Sequence, residues 1–521
     1  MSSSLDAVRP ETAPAATPWF RPAIHFTAAD TWLNDPNGLV FHNGLYHLFF
    51  QNNPYGNVWG NMSWGHATSP DLLHWSEHPV AIACDSTEDI FSGSVVVDHG
   101  NTSGFGSAAA PALVAVYTSA FKDASAHGGT QAQSLAYSTD GGMTWRKYSG
   151  NPVLTRNSAH FRDPKVFRYE GEDGTYWVMA AVEAQQQKVV LYRSEDLRSW
   201  DFLSEFGPAN ADEGEWECPD LFPLPVDGHP GNVKWVLIVN VNPGAVAGGS
   251  GGQYFVGDFD GVSFVADTDS LVAPSGVSAV TNAGARAEAL QQCLWLDWGR
   301  DCYASVSFSN APDGRRIIIG WMNNWDYANH LPTSPWRSSM TLARELRLSG
   351  VSGVPRLVQQ PVLPAFKDRG FPWIEGPLEL ADSSLKLPDA VPGRAQVIEA
   401  EILLGTAERL GFTLLASSDH SLGTVLRYDT ASSRLTLDRT QSGDTGFHAK
   451  FASVDSMPVA PVDGVLKLLV VVDHASVEVF AQDGTAVLTD LVFPHPGQTR
   501  NRLVVENGTA TVLKLTVSAL A

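Results

Sequence analysis

Past about residue 19 the chain alternates apolar and polar positions in short runs broken by Gly, Pro, Asn and Asp, the pattern of half-buried strands joined by tight turns. The clearest runs are 45–51, 94–98, 112–119, 176–183, 188–194, 235–241, 303–309 and 316–322. No long window carries a helical period, so the expectation is an all-β fold. A weak repeat organises these runs: Ser69-Pro70-Asp71-Leu72-Leu73-His74-Trp75, Ser138-Thr139-Asp140 leading to Trp145, Ser194-Glu195-Asp196-Leu197-Arg198-Ser199-Trp200, and a degenerate Asp258-Phe259-Asp260 leading to Phe264. The closing aromatics are 70 (75 to 145), 55 (145 to 200) and 64 (200 to 264) residues apart, a period that suits four-stranded propeller blades with variable loops. With a further β-rich stretch near 290–345, the pattern predicts five blades.

Beyond Arg344-Glu345-Leu346 the pattern changes. Residues 349–372 are rich in Gly, Pro and Val and read as a connection, and from about 373 the alternating runs lengthen: 395–404, 411–417, 424–428, 434–438, 466–472, 476–480, and 503–506 running on to 511–517. Two packed antiparallel sheets are expected, with hairpin turns at Asp473-His474-Ala475-Ser476 and Gln482-Asp483-Gly484. The division is therefore a disordered tail over 1–18, a five-bladed propeller over 19–348, a linker over 349–372 and a β-sandwich over 373–521. The tail is rich in Ser, Ala, Pro and Thr and has no apolar core of the kind a secretory signal requires, which leaves an intracellular protein or a mature secreted form.

Composition narrows the partners. A length of 521 residues, 44% hydrophobic and 17% charged, suits a two-domain globular protein, and no apolar stretch approaches a membrane span. A net charge of −22 opposes a nucleic-acid surface, which needs a basic footprint, and is compatible with a neutral ligand. Four irregularly spaced cysteines, Cys84, Cys218, Cys293 and Cys302, form neither a disulfide framework nor a zinc motif, and the 15 histidines lack paired ligand spacing. No cofactor and no metal are expected; oligomeric state is not legible.

Three carboxylates carry the chemistry: Asp35 in Trp32-Leu33-Asn34-Asp35-Pro36-Asn37-Gly38, Asp163 in Phe161-Arg162-Asp163-Pro164, and Glu217 in Glu215-Trp216-Glu217-Cys218-Pro219-Asp220. Asp-Pro and Asn-Gly steps favour turns, where side chains reach a substrate, although the first segment alone reads more often as a plain turn with the Asp capping its own backbone, and Asp163 reads also as a turn residue paired with Arg162. Glu217, set between Trp216 and Cys218, is a candidate for burial, which disfavours the charged form and suits a general acid. Retaining glycoside cleavage needs such a pair, a nucleophile and a proton donor about 5–5.5 Å apart.

With Gly65-His66-Ala67, Phe91-Ser92-Gly93-Ser94, Asp297-x-Gly299-x-Asp301, Gly320-Trp321-Met322-Asn323-Asn324-Trp325, Ser334-Pro335-Trp336-Arg337 and, more weakly, Ser476-Val477-Glu478-Val479-Phe480, these motifs resemble in order those of glycoside hydrolase family thirty-two, the β-fructosidases. The resemblance covers nearly all the chain apart from the tail. It implies Asp35 as nucleophile, Glu217 as acid/base and Asp163, beside Arg162, as a transition-state stabiliser. It also places Asn34, Gln51, Trp59, Ser92 and Trp321 around the terminal fructose. One departure is Cys302, where the family pattern has an aromatic residue, a change expected to alter packing and not chemistry.

The activity so implied is exo-acting, retaining hydrolysis of fructans and of sucrose. The 321–325 and 333–337 segments look more like those of inulinases and levanases than those of sucrose-restricted invertases. A fructosyltransferase would use the same intermediate, and a non-catalytic fructan-binding propeller would keep the pocket but lose the acid or the nucleophile. Linkage preference, β-2,1 or β-2,6, is not readable.

Overall fold

A computed structural model of the chain describes residues 17–107, 109–171, 174–350, 353–364, 372–391 and 393–520; of the expected tail, residues 1–16 lie outside these. Five antiparallel sheets follow one another. The first holds Trp32–His42, Leu45–Asn53, Ser63–Ser69 and Ser76–Ile82. The second holds Glu88–Asp98, Ala112–Phe121, Gln131–Ser138 and Arg146–Lys147, with Leu154–Ser158 also on its third strand. Phe161–Gly171, Gly174–Glu183, Lys188–Ser194 and Asp201–Phe206 form the third, and Glu215–Pro225, Val233–Asn242, Gly251–Phe259 and Phe264–Ala266 the fourth. The fifth is Tyr303–Ser307, Arg316–Met322, Arg344–Ser349 and Arg356–Pro361, with Ser339–Met340 on its second strand.

The first strand of each sheet lies next to the first strand of the following one, and the fifth returns to the first, so the sheets are the blades of a closed propeller. Phe41 N donates to Ser309 O (2.9 Å) and Ser309 N to Leu39 O (2.8 Å) across the closure. Apolar side chains fill the wedges between neighbouring blades, as with Phe49, Trp64, Val95 and Leu113 between the first two.

The sequence repeat is a recurrent turn between third and fourth strands. Ser69 Oγ accepts from Asp71 N and Leu72 N, Asp71 Oδ1 from Leu73 N and His74 N, and Trp75 Nε1 donates to Leu72 O. All but the Leu72 N bond recur at Ser194, Asp196 and Trp200, and part of the set at Ser138, Asp140 and Trp145. These side chains satisfy the turn amides while the indole plugs the blade edge.

Two elements differ from expectation. Arg356–Pro361 is the outer strand of the fifth blade, inside the stretch read as linker; its flanking Gly and Pro residues mask a strand whose partner is Arg344–Ser349. Residues 351–352 and 365–371 of that stretch lie outside the described residues. Ala283–Gln292 is an α-helix, capped by Asn282, whose side chain accepts from Ala285 N. None of its residues is buried, so it shows good helix formers but no apolar stripe from which a period could be read.

The C-terminal strands form one hydrogen-bonded path: Val454–Pro458, Arg434–Asp438, Thr424–Asp429, Arg409–Ala416, Arg500–Leu520, Ala395–Leu404, Val465–Val472, Ser476–Ala481 and Ala486–Leu491, with Pro372–Lys386 also on Arg500–Leu520. That 21-residue strand pairs with Arg409–Ala416 through its first half and with Ala395–Leu404 through its second, joining the two layers of a β-sandwich.

Buried ions bind the two domains. Arg344 donates to Asp297 Oδ2 (2.8 Å), Glu478 Oε2 (2.6 Å) and Thr489 Oγ1 (2.7 Å), and Arg439 to Asp301 Oδ2 (2.5 Å). Gly299 lies against Thr489, where a Cβ would meet the Thr489 carbonyl oxygen at 2.1 Å. The Asp297-x-Gly299-x-Asp301 and Ser476-to-Phe480 motifs are thus two sides of one interdomain joint. His25 adds a third strap, bonding Asp473 Oδ2 (2.7 Å) and Glu478 Oε1 (2.8 Å) with its two ring nitrogens. Burial opposes the imidazolium, but its two carboxylate partners outweigh burial and raise His25 to about 9.

Candidate active site

Every inner strand carries one extra residue at the same level of the ring. Asn34 and Asp35 oppose Gln51, Asp163 and Pro164 oppose Ala181, Cys218 and Pro219 oppose Val239, Ala304 and Ser305 oppose Gly320, and Ser92 is the extra residue between Phe91 and Gly93. A β-bulge breaks the alternation of a strand and re-aims its side chains, here towards the axis. Pro164 and Pro219 fit because a bulged residue needs no ladder N–H. Asp163, Cys218 and Ala304 take positive φ of 63°, 44° and 52°, a conformation costing about 1–3 kcal/mol each that the closed ring must hold.

These bulges bring the three predicted carboxylates together. Ser92 Oγ donates to Asp35 Oδ2 at 2.7 Å and Asn34 Nδ2 to Asp35 Oδ1 at 3.1 Å, while Trp32 Nε1 fixes the Asn34 amide by donating to its Oδ1 at 2.7 Å. Cys218 links two acids: its Sγ is 3.5 Å from Asp35 Oδ2 and 3.7 Å from Asp163 Oδ2, and its backbone N donates to Asp163 Oδ2 at 2.9 Å. Arg162 links the third, donating from Nη2 (3.0 Å) and Nε (3.3 Å) to Glu217 Oε1, with Nε 3.8 Å from Asp163 Oδ2. Thr118 Oγ1 accepts from Asp163 N at 2.9 Å, bracing that strand from the neighbouring blade.

Electrostatics follow from crowding. Burial, then the charge of Glu217, raises Asp35 above its ordinary range against the hydrogen bonds of Ser92 and Asn34. Burial raises Asp163 to about 7; Arg162 opposes this, and Glu217 and Asp35 add to it. Burial also pushes the Cys218 thiol well up, so it is neutral, a short weak donor beside two acids.

The other predicted residues divide. Trp59 is 46% exposed at the rim, its ring edge-on to Phe91 at 6.2 Å. Gln51 is buried between blades with Nε2 donating to Ile90 O at 3.0 Å. Trp321 lies deeper than the other expected pocket residues. It is 0% exposed, packed against Trp32 (6.0 Å), Trp325 (4.8 Å) and Tyr303 (6.4 Å), so it backs the pocket wall.

Two contacts were missed in the sequence. Tyr303 OH donates to Glu217 Oε2, and Glu215 shares Arg162 Nη2 with Glu217 while also accepting from Gln185 Nε2 at 3.1 Å. The available signal for Tyr303 was its place at the start of the fifth inner strand, level with Asp35 in the ring. Cys302 beside it is buried, its Sγ 3.5 Å from Ser305 Oγ. Among the described residues all four cysteines are free, and no three His, Cys, Asp or Glu side chains are grouped to hold a metal ion.

Comparison with known proteins agrees along the whole described length. Residues 25–361 match the Glycosyl hydrolases family 32 N-terminal domain and residues 375–519 the Glycosyl hydrolases family 32 C terminal. A levanase of Bacillus subtilis (strain 168) is 44% identical over 508 residues, 96% of this chain and 70% of that protein. An extracellular exo-inulinase of Aspergillus ficuum is 39% identical over 531 residues, 96% of this chain and 94% of that protein. The crystal structure of exo-inulinase from Aspergillus awamori superposes with a TM-score of 0.87 at 39% identity, covering 96% of this chain and 98% of that one. Propeller, sandwich, motif order and sequence identity lead to one assignment: the chain belongs to glycoside hydrolase family thirty-two.

Proposed function

We propose that the protein is a retaining, exo-acting β-fructosidase that removes terminal β-D-fructofuranosyl residues from fructans and cleaves sucrose. Asp35 is the nucleophile, Glu217 the acid/base, and Asp163 with Arg162 grips the hydroxyls of the fructosyl ring. The observation that carries this reading is the joining of Asp35, Asp163 and Glu217 through Cys218 and Arg162 at one level of the propeller's inner strands. The levanase and exo-inulinase relatives support the substrate class.

In the first step an Asp35 oxygen attacks the anomeric carbon, the bond to the leaving oxygen breaks, and that oxygen takes the Glu217 proton. In the second, Glu217 takes a proton from water, the water oxygen bonds to the anomeric carbon, and the Asp35 ester breaks. Tyr303 and Arg162 hold the Glu217 carboxylate oxygens throughout. Asp163, beside Arg162, accepts hydrogen bonds from sugar hydroxyls. Asn34, Gln51, Ser92 and Trp59 complete the pocket, with Trp321 behind it.

An exo-acting site takes one terminal ring, so it accepts a chain end and not a chain middle. On inulin, levan and sucrose, chromatography should show free fructose as the first product. Early mid-length oligosaccharides would instead mean endo attack, and lengthened fructans at low substrate concentration would mean transfer.

A further inference from the structure

A concavity of about 430 Å³ lies between the N-terminal segment, the loop around 328–337 and two sandwich loops; Trp19, His330, Arg337, Asp444 and His495 line it. Its volume falls within the usual range of about 300–1,000 Å³ for small-ligand sites. Trp19 is 48% exposed yet firmly mounted. It packs on Phe20 at 5.7 Å, Phe20 meets Phe493 edge-on at 5.1 Å, and Thr17 is pinned by Thr17 N donating to Ser334 O and Ser334 N donating to Thr17 Oγ1, both 3.1 Å.

Around this indole stand polar groups that the protein does not use. Among the described residues, the imidazoles of His330 and His495 and the carboxylate of Asp444 take part in no hydrogen bond or ion pair, although His330 stacks on His448 at 5.3 Å. Arg337, 8% exposed, forms the floor; it donates to Asn329 O and Thr333 O, and its Nε has no partner. A fixed aromatic face ringed by unengaged donors and acceptors suits a sugar, which offers an apolar ring face and outward hydroxyls. Arg337 and Asp444 balance in charge, which suits a neutral ligand.

The cleft also adjoins the site. Arg337 O accepts from Leu33 N at 3.2 Å, two residues before Asp35, and Asn329 Oδ1 accepts from Trp59 N at 3.0 Å. We propose that this cleft is a second carbohydrate subsite, which takes fructosyl units of a polymeric fructan remote from the bond being cleaved. The proposal rests on the fructosidase reading for its ligand and concerns chain length, since sucrose is too short to span both places.

The test compares Trp19→Ala and Asp444→Ala with the wild type on levan, inulin and sucrose. For Trp19→Ala, kcat/KM on the polymers should fall about fivefold, the size of one aromatic contact, with sucrose unchanged. Asp444→Ala should show the same split more weakly. Equal losses on polymer and sucrose, or no loss on either polymer, would overturn the subsite. The Asp35→Asn protein, with and without Trp19→Ala, should be run through native gels containing levan or inulin. Retardation that Trp19→Ala abolishes supports the cleft even if the wild type hydrolyses none of the three sugars, an outcome that would sink the fructosidase reading alone; retardation that Trp19→Ala leaves unchanged would overturn the cleft.

Discussion

Asp35 and Glu217 differ in what holds them. Asp35 faces neutral donors, Ser92, Asn34 and the Cys218 thiol, whereas Glu217 lies between a cation and a phenol. Alanine at either position should lower turnover by about three powers of ten or more with the fold intact. A fructoside with a good leaving group separates the roles: the first step then needs less acid help, so Glu217→Ala should recover activity and Asp35→Ala should not. Near-normal turnover by Asp35→Ala would end its assignment as nucleophile. The pH profile supplies a second check. Asp35 must be ionised to attack, and burial raises it above 3.8, so kcat/KM should fall on acidification at a pH above that value. Ser92→Ala removes a hydrogen bond that favours the ionised form, so the acid limb should move up by about one unit. An unmoved limb would mean that Asp35 does not govern it.

At the scale of strands and straps, sequence and structure agree where local pattern decides. The runs 188–194, 316–322, 395–404 and 434–438 are the observed strands Lys188–Ser194, Arg316–Met322, Ala395–Leu404 and Arg434–Asp438. Bulges are not legible this way, because an extra residue changes register against a partner far along the chain; only the Asp-Pro and Cys-Pro steps hint at them. The strap through His25 was equally hidden, since its partners Asp473 and Glu478 lie some 450 positions away. It carries a prediction. His25 is raised from 6.5 to about 9, so the stability it adds is complete below about pH 6.5 and is lost as pH rises through 9. Asp473 and Glu478, each held at about 2 by His25 and, for Glu478, first by Arg344 against the pull of burial, keep theirs above their ordinary values of 3.8 and 4.5 and lose it as pH falls from there through 2. His25→Ala leaves two buried carboxylates short of a cation and should cost about 3–5 kcal/mol near neutrality. Thermal melts at about pH 6.5 and 9.5 should show a wild-type decline that the variant lacks. Parallel declines would mean that His25 is not charged in the joint.

Over the whole molecule the ring converts sequence distance into proximity. Asp35, Ser92, Asp163, Glu217 and Tyr303 belong to five successive inner strands at one level, so side chains up to 268 positions apart share a mouth (35 to 303). The three acids were legible because Pro and aromatic neighbours mark them. Tyr303 and the sharing of Arg162 by Glu215 were not, because each exists only across blades. On the proposed roles, a nucleophile and an acid held in one hydrogen-bonded network, Asp35 through Cys218 to Asp163 and Glu217 through Arg162, are what two displacements at one carbon require. The most direct test is the configuration of the first fructose released, followed by NMR before mutarotation. Two displacements restore the starting configuration, so β-fructofuranose should appear first. Initial release of the α-anomer would contradict a covalent intermediate on Asp35.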